Sequence, residues 1–331
     1  MIISWNTTNQ CNMFCDHCYR EAGVKADEEL TTEQGKQLID EIIKAGFKIM
    51  IFSGGEPFMR EDIFDLVNHA VKGGLRVVFG TNGSLITQEV AQKLKDLGVM
   101  GVGISLDSLD KAKHDNLRKY EHAWDEAVRG MENCKKVGLP FQIHTTVMEW
   151  NDHEVEAITD FAVEKGAVAH HIFFLVPSGR AKNIEVESLR AEQYERLLER
   201  ILKKQQQVEI ELKPTCAPQF MRIAKQMGMN LRFGRGCLAG TSYCIIGPRG
   251  DVQPCAYLPI HIGNVKEQSF SELWKNSPVF EELRTLDYKG GCGSCGYKKI
   301  CGGCRARAYY YHDEDYMAEE PWCLYHGRKG K

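Results

Sequence analysis

The sequence lacks a basic excess. Lysine and arginine number 42 against 45 aspartates and glutamates, so the formal net charge over 331 residues is −3. That balance argues against a dedicated nucleic-acid binder, which needs a cationic face to displace counterions. No apolar run approaches the length of a membrane span. Met1-Ile2-Ile3-Ser4-Trp5 lacks the basic flank and apolar stretch of a secretion signal. A cytoplasmic protein with no membrane attachment is therefore expected. No low-complexity segment and no close repeat interrupts the chain. With 43% hydrophobic and 26% charged residues, a sizeable core is expected and wholesale disorder is not.

What the chain does have is cysteine, 13 in all. In a reducing compartment these are poor disulfide partners and good metal ligands, and the odd count argues against complete internal pairing. Three stand at Cys11, Cys15 and Cys18, eight lie between Cys237 and Cys323, and only Cys134 and Cys216 fall between the groups.

The stretch between the groups alternates strands and helices. Apolar segments over 2–6, 47–52, 75–79, 100–106, 141–147 and 170–176 read as strands, each followed by a helical pattern. Thr31 with Gln34 three residues on offers a capping box for the first helix. About six βα units result, an α/β class with a parallel sheet whose strands are buried on both faces. Periodicity alone allows a doubly wound sheet or an incomplete barrel; either puts ligands at the C-terminal ends of the strands. From about Phe233 the text turns to glycine, cysteine and short turns, with one helix over 269–285. Such a segment needs cross-links, and metal is one kind. The expected division is 1–230 and 231–331.

The first cysteine group, Cys11-x3-Cys15-x2-Cys18, directly follows the first strand. Three thiolates on a short loop can hold three irons of a cubane cluster and leave the fourth open. The bland alternatives are a zinc loop completed by His17, or surface thiols. The loop resembles that of radical S-adenosylmethionine (SAM) enzymes, as does Ser53-Gly54-Gly55-Glu56-Pro57 at the end of the second strand. The resemblance implies a partial (β/α)6 TIM-like barrel and a [4Fe–4S] cluster on Cys11, Cys15 and Cys18. It implies SAM held by Ser53, Gly54, Gly55 and Glu56, with Glu56 facing the amino group. His17 is expected beside the adenine, and Asn82, Ser105 and Asp107 are expected to line the pocket. The family makes a 5′-deoxyadenosyl radical using an electron donor such as ferredoxin or flavodoxin. Taken singly, each of these motifs is also what a turn after a buried strand looks like.

The second group, Cys237-x12-Gly250-x4-Cys255, then Cys292-x2-Cys295-x5-Cys301-x2-Cys304 and Cys323, resembles the SPASM extension of radical SAM enzymes. It departs in its last pair, C-x2-C where C-x3-C is usual. The resemblance implies two auxiliary clusters, three [4Fe–4S] clusters in all. By analogy Cys237, Cys244, Cys255 and Cys304 hold one, and Cys292, Cys295, Cys301 and Cys323 the other. The alternative is a pair of zinc ribbons, on a scaffold with no catalytic role. Cys134 reads as a small core residue. Cys216, in a rigid Pro-flanked loop, is a buried thiol or a catalytic residue of the pocket.

Gly236-Cys237-Leu238-Ala239-Gly240, Thr215-Cys216-Ala217-Pro218 and Glu319-Glu320-Pro321-Trp322-Cys323 resemble the haem-biosynthesis branch of SPASM proteins. The nearest type there is the 12,18-didecarboxysiroheme deacetylase, with the NirJ proteins of haem d1 synthesis; an anaerobic haem synthase that makes vinyl groups belongs to the same branch. An iron tetrapyrrole substrate follows. Its carboxylates favour arginine forks, for which Arg20, Arg180, Arg305 and Arg307 are candidates unless they are ordinary salt-bridge residues. Tyr309, Tyr310 and Tyr311 cannot all face one macrocycle. His170 or His171 could ligate substrate iron, although satisfied structural histidines are commoner. The competing reading is a maturase of ribosomally made peptides.

Overall fold

Residues 1–325 are described by a computed structural model. Its strands are β1 Ile2–Asn6, β2 Ile49–Ser53, β3 Arg76–Thr81, β4 Gly101–Ser105 and β5 Phe141–Val147. They continue with β6 Ala169–Phe174, β7 Glu211–Thr215, β8 Tyr243–Ile246, β9 Asp251–Gln253 and β10 Gly263–Asn264. All join one sheet in the order β10-β9-β8-β1-β2-β3-β4-β5-β6-β7. Strands β1 to β7 pair parallel in succession, and β8 adds to the other side of β1, also parallel. The loops that leave these strands therefore gather on one rim. This is the α/β architecture of repeated βα units that the sequence implies.

Local chemistry explains the elements. Thr31 caps the helix Thr32–Lys44, and the reciprocal bond from Gln34 completes the box. That helix buries Leu38, Ile39 and Ile42 beneath Ile3 and Trp5 of β1. Burial alternates along β5, whose Phe141, Ile143, Thr145 and Val147 are buried while Gln142, His144 and Thr146 are half-buried. Strands covered on both faces were expected. Instead one face packs under helices and the other lines a polar interior, where His144 stacks on His171 with ring centroids 5.3 Å apart.

Several elements differ from expectation. A seventh parallel strand, β7, stands where a loop was expected. Pro214 cannot donate to a ladder and discourages a strand reading, but β7 is an edge, where proline is tolerated. The helix expected over 269–285 is two, Phe270–Asn276 and Pro278–Thr285, because Pro278 breaks the first and opens the second. Short helices at Lys111–Arg118, Phe220–Gln226 and Arg305–Tyr311 escape the sequence pattern. Strands β8 to β10 come from the cysteine-rich segment, so both parts of the chain share one sheet. Among the described residues no helix is long and apolar enough to cross a membrane.

Candidate active site

Beyond Asn6 the chain crosses the rim and carries the first cysteine loop over the end of β2. Gly55 N donates to Thr8 O and Glu56 N to Gln10 O, both at 2.8 Å. A Cβ on Gly55 would lie 2.2 Å from Gln10 O, and one on Gly54, at φ 151°, 2.6 Å from Thr8 O. The two glycines thus allow close approach to the cysteine loop itself. Gly55→Ala should displace this loop; iron bound after anaerobic reconstitution should fall, and unchanged iron would show the loop tolerates the shift.

A second strap follows β6. Ala181 N donates to Cys18 O, while Arg180 donates from Nε to Cys15 O at 3.0 Å and from Nη1 to Ala22 O at 2.6 Å. Arg180 therefore braces the cysteine loop, which corrects its expected role as a substrate ligand. Burial, with the neighbouring thiols adding to it, pushes the Cys11 thiol up to about 12 and the Cys15 thiol up to about 11. These groups keep their protons unless a metal displaces them. Among the described residues no three His, Cys, Asp or Glu side chains converge closely enough to share one metal ion. In a cubane each thiolate binds a separate iron, so three thiols on one loop leave one iron open.

Glu56 is fully buried at the end of β2. Thr81 Oγ1 donates to its two oxygens at 2.8 and 2.9 Å, and Asn82 N donates at 2.9 Å. Burial raises its carboxyl to about 7 against these neutral donors. A buried carboxylate held by neutral groups fits an incoming amino group. His17 is half-buried; desolvation lowers its imidazole to about 4, so the ring is neutral, and its Nδ1 has no partner among the described residues. That open ring nitrogen fits a hydrogen-bonding ligand.

Two expected pocket residues act at one remove. Asp107 is 0% exposed, with Arg118 donating to Oδ2 at 2.9 and 2.7 Å and Thr146 N to Oδ1 at 2.9 Å. Burial alone would raise its carboxyl, but the Arg118 guanidinium holds it well below the usual range. Its Oδ2 stands 3.7 Å from His17 Nε2, so it sits behind the imidazole instead of lining a pocket. Asn82 Nδ2 donates to Asn12 Oδ1 and its Oδ1 accepts from Ser84, which ties the cysteine loop to the end of β3. Ser53 and Ser105 remain half-buried at the rim, where Ser105 Oγ donates to Thr81 O at 3.2 Å.

Beside the cysteine loop opens a cavity of about 490 Å³ lined by Tyr19, Arg20, Lys182, Arg249, Tyr257 and Tyr309, with Glu21 and Asp251 also on its wall. Tyr19 follows Cys18, and Tyr257 comes two residues after Cys255; their rings lie 5.3 Å apart. Arg20 Nε and Ser178 Oγ, both on this wall, are buried without a partner among the described residues. Of the four candidate arginines Arg20 alone lines the cavity. Lys182, Arg249, Tyr19 and Tyr257 were missed, although Tyr19 follows Cys18 directly and Tyr257 lies two residues from Cys255. Tyr310 joins Tyr309 on the wall, while Tyr311 turns away and donates to Glu185 Oε1 at 2.6 Å. His170 is buried between Thr159 and Thr145, each 2.9 Å away, and is a satisfied structural residue.

The second cysteine group divides in space. Cys292, Cys295, Cys301 and Cys323 line one cavity of about 530 Å³. Cys216, Cys255 and Cys304 pack together with Val176 and Leu258. Cys237 lies within electrostatic reach of Cys255, Cys304 and Cys216. Cys244 was expected in this set and is not there: it is 0% exposed in the aliphatic core with Ile3, Leu38 and Phe270. Its partner in register is Ile3, which fixes its side chain on the helix-covered face of β8. Arg305 and Arg307 are likewise corrected. Arg305 donates to Tyr316 O and Ala318 O, and Arg307, 0% exposed, pairs with Glu320 at 2.8 Å. Neither reaches the cavity as a free donor.

The radical SAM superfamily model matches residues 5–162, and the SPASM iron–sulfur cluster-binding domain model matches 237–305. The chain is 42% identical to an AdoMet-dependent heme synthase of Methanosarcina barkeri, covering 100% of this chain and 97% of that protein. It is 30% identical to an Fe-coproporphyrin III synthase of the same organism, covering 97% and 87%. In fold it is similar to Streptococcus suis SuiB bound to the precursor peptide SuiA, with a TM-score of 0.79 at 19% identity over 98% of this chain and 75% of that one.

Proposed function

The chain belongs to the radical SAM superfamily and carries a SPASM iron–sulfur domain, and from that premise we propose that it is a haem synthase acting on the carboxylate side chains of an iron tetrapyrrole. SAM and iron–sulfur clusters are its cofactors. Cys11, Cys15 and Cys18 would hold the first cluster, Glu56 would meet the amino group of SAM, and His17 would lie against the adenine. When bound, these groups supply a 5′-deoxyadenosyl radical that takes hydrogen from an unactivated carbon. Residues 1–230 form the radical SAM part and 231–331 the auxiliary part, in the cytoplasm, with a ferredoxin- or flavodoxin-type electron donor.

The observation that carries the substrate class is the cavity between Tyr19–Arg20 and Tyr257. It is large enough for a macrocycle, walled by tyrosines, and presents Arg20, Lys182 and Arg249 to carboxylates. A propionate that becomes a vinyl group loses carbon dioxide, one hydrogen atom, which the 5′-deoxyadenosyl radical would take, and one electron, which needs a one-electron acceptor. The sequence suggested the deacetylase type within this branch. Identity of 42% to a haem synthase against 30% to an Fe-coproporphyrin III synthase favours vinyl formation.

The test is anaerobic incubation with SAM, reductant and, separately, iron coproporphyrin III, 12,18-didecarboxysiroheme and a precursor peptide, followed by mass spectrometry. Loss of carbon dioxide and two hydrogens per side chain from iron coproporphyrin III is expected. Change only in the siroheme would move the chain to the deacetylases, and change only in the peptide would sink the tetrapyrrole reading. Glu56 adds a pH signature. It is ionised above about 7, so SAM affinity should weaken as pH falls through that value, by at most roughly tenfold per pH unit. Glu56→Gln should flatten this dependence in equilibrium dialysis.

A further inference from the structure

The geometry points to Cys216, and not Cys244, as the fourth protein thiolate beside Cys237, Cys255 and Cys304. The inference rests on the SPASM reading of the cysteine-rich segment. Both candidates come from the rim strands, but they face opposite ways. Cys244 lies inside β8, two residues before its end, with its thiol in the helix-covered core. Among the described residues the one charged group that perturbs it is Arg284. Cys216 lies just past the end of β7 and packs against Cys255 and Cys304.

The surrounding residues hold Cys216 there deliberately. Its backbone is left-handed at φ 59°, a conformation that cysteine rarely adopts and that persists only when neighbours impose it. Arg307 imposes it, donating from Nη1 to Cys216 O at 2.6 Å. Arg307 is stacked between Tyr194 and Trp322 and paired with Glu320, whose Oε2 accepts the Cys304 backbone N–H at 2.5 Å. One buried network thus fixes two thiols, Cys216 and Cys304, relative to each other. Cys255 is set by its bridge to Leu258, a member of the same packed group. With Cys237 the set has four thiolates, enough for every iron of a cubane, and leaves none for a substrate ligand.

The test compares Cys216→Ala and Cys244→Ala after anaerobic reconstitution, by iron and sulfide content and by electron paramagnetic resonance with and without cyanide, SAM being present to occupy the first cluster. Roughly twelve irons per chain and cyanide-insensitive auxiliary signals are expected in the unaltered protein. Cys216→Ala should lose about four irons, or keep them with a new cyanide-sensitive signal from an opened iron. Cys244→Ala should keep full iron and ignore cyanide. Iron loss or cyanide sensitivity in Cys244→Ala overturns the assignment whatever Cys216→Ala does, so a misfolded Cys216 variant does not rescue it. Full iron without cyanide sensitivity in Cys216→Ala also overturns it. About four irons in the unaltered protein would instead refute the auxiliary-cluster reading itself.

Discussion

Cys15→Ala should yield no 5′-deoxyadenosine above the reductant-only background. The loop offers three thiols and no spare: Cys11, Cys15 and Cys18 are its only cysteines, and His17 is turned toward Asp107 at 3.7 Å. Arg180 grips the Cys15 carbonyl, so the backbone should stay in place when the thiol goes. The loss should therefore be of metal rather than of fold. About four irons should disappear while the auxiliary iron remains. Chromatography of the SAM products reads the first expectation and an iron assay the second. Persistent cleavage of SAM would remove this loop from the chemistry.

Arg307→Ala should be the most damaging change outside the cysteine ligands. The guanidinium is 0% exposed and donates to Glu320, Cys216 O and Tyr194 Oη. Removing one partner of a buried pair leaves the other charge uncompensated, which costs about 3–5 kcal/mol. It also strips two aromatic faces, Tyr194 and Trp322, of their cation. Arg307→Lys should recover little, since an ammonium cannot reproduce the fork. The checks are the anaerobic unfolding midpoint and the auxiliary iron content, and both should fall. A variant with unchanged midpoint and iron would show that Cys216 is held without this network.

The first site was legible because its parts are contiguous. Cys11, Cys15 and Cys18 share one loop, and parallel strands carry Ser53, Thr81 and Ser105 to the same rim wherever the helices lie. The side chains behind it were harder. Asp107 and Asn82 look like ligand groups in a sequence, but only tertiary packing shows Arg118 and Ser84 engaging them first. Arg305 and Arg307 failed for the same reason: a sequence does not say whether Arg307, three residues beyond Cys304, points outward or into a buried pair.

The surroundings of Cys216 and Cys244 were hidden for a sharper reason. A strand alternates its faces residue by residue, so the face of Cys244 depends wholly on the register of β8 against β1. Spacing from Cys237 carries no such information. The proline that hid β7 also hid where Cys216 emerges, at the end of a rim strand rather than in a linker.

The central claim is that a radical formed at the Cys11–Cys18 loop attacks a tetrapyrrole side chain. It is tested most directly with iron coproporphyrin III deuterated along its propionate chains, incubated anaerobically with the protein, SAM and reductant. Deuterium in the recovered 5′-deoxyadenosine, together with vinyl product, is the result expected. Unlabelled 5′-deoxyadenosine beside unchanged porphyrin would contradict it.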